Sequence, residues 1–389
     1  MARRKLIVHI GSHMTGTSSV QAMLCQSPNE LKQQGYSFFA RDLDGSPRPI
    51  GDTNVWLSFK PGGRVECAIR ADLAARLKDQ EGNVVVSAEH FSWVFDEREI
   101  RRFRNRLRRT FDQIMVVAYV QRQDRHAIHH YHQGSEFGAF AAARFYDGNY
   151  RALPEYREYF HRYLNYSDRL GMWANVFGDG NLVIRVFDEK DLRGGDIVAD
   201  FLWATGLKLD VPQIEKMESR GFEQNKLGHL MNREHVPLLL QKRLLRHCDN
   251  SGKLLPSRKS AVDFYQHFRE SNRQLNERFR INDSPFLFDE SFDDYPEEPG
   301  DLWSEDSANH TITHLLQAVN RLPVLVPDDI ELLGKSAHSI ANIDEAQSEA
   351  LESLVNRLDM RNRKEPGGVE LRHTWGIKSF LVRTGLLKR

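Results

Sequence analysis

Apolar residues follow two rhythms along the first half of this chain. Runs rich in apolar residues at 6–10, 36–39, 84–87, 115–120 and 182–187 predict short strands. Between them, residues 16–24, 68–78, 97–109, 124–133 and 166–177 predict helices, with apolar positions three and four apart. Val84-Val85-Val86 and Met115-Val116-Val117-Ala118 lack polar alternation, so they predict strands buried on both faces. Alternating strands and helices of this kind imply an α/β fold, a parallel sheet between two helical layers. Within residues 166–177, Leu170, Trp173 and Phe177 share one helix face and predict core. Beyond about residue 210 the strand signal fades, and residues 237–246 and 262–279 read as helices.

The densest candidate chemistry lies between the first strand and the first helix. The string runs His9-Ile10-Gly11-Ser12-His13-Met14-Thr15-Gly16-Thr17-Ser18-Ser19-Val20-Gln21. A strand, a turn of small residues and a helix form an anion cradle, because backbone N–H groups and the positive end of the helix dipole meet there. Gly11 and Gly16 let the backbone approach an oxygen closely, and Thr15, Thr17, Ser18 and Ser19 add hydroxyls. The loop lacks the Gly-Lys-Ser/Thr ending of nucleotide triphosphatases, which disfavours a nucleotide kinase. Gly-Ser-His-Met also occurs as an expression-tag remnant, but here it sits inside a continuous strand–turn–helix pattern.

This string resembles the 5′-phosphosulfate loop of sulfotransferases, especially a bacterial carbohydrate-type family whose pattern is roughly H-I-G-x-x-K-T-G-T-T-S-x-Q. Two further stretches carry the resemblance: Tyr119-Val120-Gln121-Arg122-Gln123-Asp124, continuing to Tyr131, and Leu170 to Gly178 followed by Val183-Ile184-Arg185-Val186-Phe187 and Asp200-Phe201-Leu202. Residues 286–298, acidic and aromatic, are similar to a late stretch of the family. The resemblance implies a P-loop-like fold and 3′-phosphoadenosine-5′-phosphosulfate (PAPS) as co-substrate, with no metal. It also implies a carbohydrate-type acceptor. Gly11, Thr15, Gly16, Thr17, Ser18 and Ser19 would then hold the donor's 5′ end, and Arg122 and His129 its 3′ phosphate. Glu89, just past the buried strand 84–87, would accept the acceptor's proton, with His90 as the alternative.

The chain departs from the family at three donor positions. Met14 replaces a Lys, Gln121 an Arg, and His129 a Ser. Met cannot neutralise charge during transfer, and Gln lacks the charged fork of Arg. His13, Arg122 and His129 are the nearby candidates to supply the missing charge, with His13 taking a catalytic place. Two readings follow: an active PAPS-dependent sulfotransferase, or an impaired descendant that serves as a binding or assembly protein.

Charge and cysteines narrow the class. Lys and Arg number 54, as do Asp and Glu, so no general nucleic-acid binder is indicated. Three scattered cysteines, Cys25, Cys67 and Cys248, suggest neither a disulfide framework nor a zinc knuckle, and suit a reducing cytoplasm. No apolar run approaches the ~20 residues of a membrane span. His126 and His130, four apart, share a helix face, but no further ligands of metal-site spacing are visible. His132 reads as part of a solvated face, and so does the run Arg98 to Arg109. The expected organisation is a sulfotransferase-like α/β domain over residues 1–334 and a helical extension over 335–389, ending in a basic tail.

Overall fold

The computed structural model describes residues 4–48, 51–61, 65–136, 140–146, 151–209 and 220–320. Its strands are β1 (Lys5–His9), β2 (Tyr36–Phe39), β3 (Leu57–Phe59), β4 (Cys67–Ile69), β5 (Asn83–Ser87), β6 (Gln113–Val120) and β7 (Leu182–Val186). Among the described residues up to 205, nine α-helices accompany them: α1 (Thr17–Gln26), α2 (Pro28–Gln33), α3 (Leu73–Lys78), α4 (Glu97–Leu107), α5 (Gln123–Gln133), α6 (Phe140–Tyr146), α7 (Glu158–Leu164), α8 (Tyr166–Phe177) and α9 (Ile197–Thr205). Five more follow: α10 (Phe222–Arg233), α11 (Leu238–Leu245), α12 (Arg258–Gln266), α13 (Arg269–Phe279) and α14 (Glu305–Asn320). Residues up to Thr311 form one compact unit.

The central sheet has the order β2-β5-β1-β6-β7, with every neighbouring pair parallel. The chain leaves β1 toward one edge and later returns to its other side. The strand order therefore reverses beside β1, where open α/β sheets take ligands at the carboxyl ends of their strands. Side chains alternate along β1 into two cores. Leu6 and Val8 pack with Ile100, Phe103 and Leu107 of α4 and with Leu170, Trp173 and Phe177 of α8. Ile7 faces the other way, into a cluster with Val20, Met23 and Leu24 of α1 and Phe201 of α9. Helices cover both faces, which explains why the strands carry continuous apolar runs.

Some expected boundaries differ. Residues 68–78 are not one helix: Cys67–Ile69 pairs antiparallel with Leu57–Phe59, and only Leu73–Lys78 is helical. Residues 262–279 divide into α12 and α13, broken at His267 and Phe268. The arginines of α4 occupy its outer side, while Ile100, Phe103 and Leu107 face the core. His132 is partly buried, and its Nε2 is enclosed without a partner, so it does not lie on a solvated face. Among the described residues no helix is long and apolar enough to cross a membrane. The expected boundary at 334, the extension 335–389 and its basic tail lie outside the described residues.

Candidate functional site

The strand–loop–helix junction is built into the sheet beyond the end of β1. Ile10 donates to the Val117 carbonyl, Tyr119 to Gly11, and Ser12 to Tyr119, each through its backbone N–H at 2.7–3.0 Å. The chain then turns through left-handed backbone at Met14 (φ 57°) and Gly16 (φ 75°) into α1. Gly11 (φ 84°) is required twice over, by its dihedral and because a Cβ there would press on Ser92 Oγ and the Glu89 backbone. A Cβ on Gly16 would strike Ile197 at 2.8 Å.

This loop has the donors an anion needs. Among the described residues no acceptor receives the backbone N–H groups of Met14, Gly16, Thr17 or Ser18. They sit at the positive end of α1. The Thr15 and Thr17 hydroxyls donate to the Ser12 carbonyl at 2.8 and 3.1 Å, so they brace the loop from inside. Ser18 is exposed and Ser19 partly exposed.

Beside the loop sits a cation that the sequence did not single out. Arg169 lies on α8, whose first turn is capped by Asn165. Its Nη2 donates to Ser12 Oγ at 2.7 Å, and its guanidinium lies 5.2 Å from the ring centres of Tyr163 and Tyr166. The side chain is only 2% exposed, its Nε has no partner, and no carboxylate of the described residues pairs with it. Burial pulls its pKa below the usual arginine value. An unpaired charge in such a place costs several kcal/mol, on the order of the effective penalty for burying one ion. An anion held at the loop would supply the missing counter-charge.

A buried chain of hydrogen bonds ties the loop to the end of β6. Tyr166 donates its hydroxyl hydrogen to the Gln121 carbonyl at 2.7 Å, so its oxygen accepts from His126 Nδ1 at 2.6 Å. His126 Nε2 therefore carries the lone pair and accepts from Tyr163, at 3.1 Å. Tyr163 in turn accepts from His13 Nδ1 at 2.8 Å. Each link has one hydrogen, so the chain fixes the His13 tautomer and leaves a free lone pair on Nε2. That atom is enclosed and unpartnered. Burial, and then neighbouring His130, His90, His126 and Arg169, hold the His13 pKa well below 6.5. His13 is thus neutral and does not replace the charge of the absent lysine.

Glu89 and His90 open the short helical turn Glu89–Trp93 directly after β5. Burial, aided by Asp52 and Glu136, pushes the Glu89 carboxyl up to about 7, against a lowering hydrogen bond from Gln133. One ligand atom each from His13, Glu89 and His90 lies within 4.8 Å of the others. The i,i+4 pair His126 and His130 offers no comparable grouping, because both His126 nitrogens are engaged by tyrosines.

The residues expected at the second phosphate site are otherwise occupied. Arg122 grips Asp124 with Nε and Nη2 at 2.8 and 3.0 Å. Its Nη1 donates to the Asp289 and Ser291 carbonyls, and its plane lies 4.0 Å from the Phe292 ring centre. Arg122 therefore anchors the segment around residues 289–292 to α5 and has little to offer a ligand. His129 Nδ1 hydrogen-bonds Gln121 Oε1 at 3.0 Å.

No protein-family model matches the chain. An uncharacterized protein of Archaeoglobus fulgidus is 25% identical over 140 residues, a match covering 33% of this chain and 39% of that protein's length. Among solved structures, the crystal structure of a sulfotransferase from Alicyclobacillus acidocaldarius is similar at a TM-score of 0.39 and 14% identity. The alignment covers 72% of this chain and 98% of that one.

Proposed function

We propose that this chain binds PAPS and transfers its sulfuryl group to a carbohydrate-type hydroxyl. The observation that carries the reading is Arg169, a buried cation without a carboxylate, beside a loop whose N–H groups lack acceptors. Gly11, Thr15, Gly16, Thr17, Ser18 and Ser19 form the cradle for the 5′-phosphosulfate. The Gln121 carboxamide N–H₂ group, its oxygen held by His129, is the donor left for the 3′ phosphate, and Arg122 is left out because its own donors are engaged. Glu89, with a carboxyl titrating near neutrality, accepts the acceptor's proton. The acceptor oxygen bonds to sulfur as the bond from sulfur to the bridging oxygen breaks. That oxygen leaves with the electron pair on adenosine 3′,5′-bisphosphate, and Arg169 offsets the charge that develops there.

The second reading is a descendant that keeps the anion site without turnover. Met14, the neutral His13 and the Gln121–His129 pair favour it. Calorimetry with adenosine 3′,5′-bisphosphate, followed by transfer from labelled PAPS to a saccharide panel, separates the two. Binding with transfer supports the enzyme, and binding without transfer supports the descendant. No binding removes both.

A further inference from the structure

We infer that His13, Glu89 and His90 form a binding site for a first-row divalent metal ion of the zinc class. The ligand set is two imidazoles and a carboxylate, a combination that suits such ions and leaves a fourth position open. Ligand atoms from the three side chains lie within 4.8 Å of one another. Tetrahedral zinc, with bonds of about 2.0–2.1 Å, needs them about 3.4 Å apart, so the ligand atoms close by at most about 1.4 Å when the ion binds.

Two independent features of these residues suit a metal ion. His13 Nε2 and His90 Nδ1 are both enclosed without hydrogen-bond partners, although imidazole nitrogens in a polar setting ordinarily find one. His13 itself is 1% exposed. In addition, the chain Gln121–Tyr166–His126–Tyr163–His13 delivers a proton to His13 Nδ1 and a lone pair to Nε2. A metal-bound histidine needs its other nitrogen to donate to a fixed partner, because that sets both tautomer and ring orientation. Here Tyr163 is that partner, and it is a positioning residue for the metal.

The site shares Glu89 with the transfer reading and competes with it. A metal ion on Glu89 takes up the lone pair that a general base would use. Metal binding and donor binding are therefore measured separately, the donor titration being run with a chelator present.

The test is titration of the metal-free full chain with Zn²⁺ by calorimetry and with Co²⁺ by ligand-field absorption. One tight site is expected, with Co²⁺ bands of tetrahedral intensity and a metal-dependent rise in thermal midpoint. His13→Ala, Glu89→Gln and His90→Ala should each lose the tight site while keeping the metal-free thermal midpoint of a folded chain. Tyr163→Phe should weaken metal binding on the order of 10- to 100-fold, the usual effect of removing an outer partner. Should a variant fail to fold, the remaining ones and the Co²⁺ spectrum still decide. Zn²⁺ binding that persists in all three ligand variants, or no tight binding to the parent chain, overturns the inference.

Discussion

Gln121 and His129 hydrogen-bond to each other, with the imidazole Nδ1 donating to the carboxamide oxygen at 3.0 Å. These are two of the three positions at which the chain departs from the sulfotransferase pattern, where Arg and Ser are expected. Eight residues apart in sequence, they meet because β6 runs directly into α5. The pair carries no net charge, since burial, and then Arg125, keeps the His129 pKa below its usual value. The two replacements thus form one unit. A single reversal leaves either an Arg against an imidazole or a Ser too short to reach Gln121. Gln121→Arg with His129→Ser should tighten adenosine 3′,5′-bisphosphate binding by more than the two single changes combined. Coupling of about 0.5–3 kcal/mol is the range for residues in contact. Calorimetry across the four proteins checks it, and additive effects would remove the unit.

Arg169 gives the sharpest test of the anion site. Arg169→Met fills much of the space that the side chain takes beside Tyr163 and Tyr166 and removes the charge. Removing an unpaired buried charge also removes its desolvation cost. The ligand-free thermal midpoint should therefore hold or rise. Bisphosphate affinity should fall by roughly 10- to 100-fold, corresponding to about 1.5–3 kcal/mol for a charged hydrogen bond. A fall in thermal midpoint with affinity intact would make Arg169 a purely structural residue.

Met14 occupies left-handed backbone at φ 57°, a conformation in which Lys bears the same strain. Met14→Lys should therefore cost little stability and place a cation on the loop. Donor affinity should rise about tenfold or more, since a positioned cation beside a transferring group contributes ~3 kcal/mol in favourable sites. If Glu89 is competent, turnover of labelled PAPS should rise with it. Unchanged affinity on adding the lysine would favour the binding-protein reading over the enzyme.

Much of the α/β frame was legible because the central strands β1, β5 and β6 are buried on both faces over most of their length, so Val84–Val86 and Met115–Ala118 read as unbroken apolar runs. The strand–loop–helix turn after β1 was legible because its glycines and hydroxyls are contiguous. The hairpin of Leu57–Phe59 with Cys67–Ile69 was missed because three-residue strands carry no usable period. Arg169 was missed for a different reason. It stands on α8 between apolar positions, like any exposed helix arginine, and only the packing of that helix turns it toward Ser12. Arg122 is the opposite case. Its place in the motif is conspicuous, but Asp124, two residues on, and carbonyls some 170 residues away engage it. His13 likewise gains its tautomer from Tyr163, 150 residues distant.

Buried neutral histidines also set how this fold responds to acid. His9 is held by Ser87 within the sheet, and His229 stacks on Tyr131. Desolvation is the first cause that lowers each pKa from 6.5 to about 3. An unfolded chain takes up these protons as pH falls below about 6.5, whereas the folded chain resists until near 3. The contribution is therefore fully present above pH 6.5 and is lost progressively on acidification toward 3. Each such histidine adds about 1.4 kcal/mol per pH unit to the slope across that window. Urea unfolding at a series of pH values should show stability falling steeply below about pH 6. His9→Asn retains a polar partner for Ser87 and removes one titrating group. Its slope should be shallower than the parent's by about 1.4 kcal/mol per pH unit, and an unchanged slope would mean that His9 already takes its proton in the folded chain.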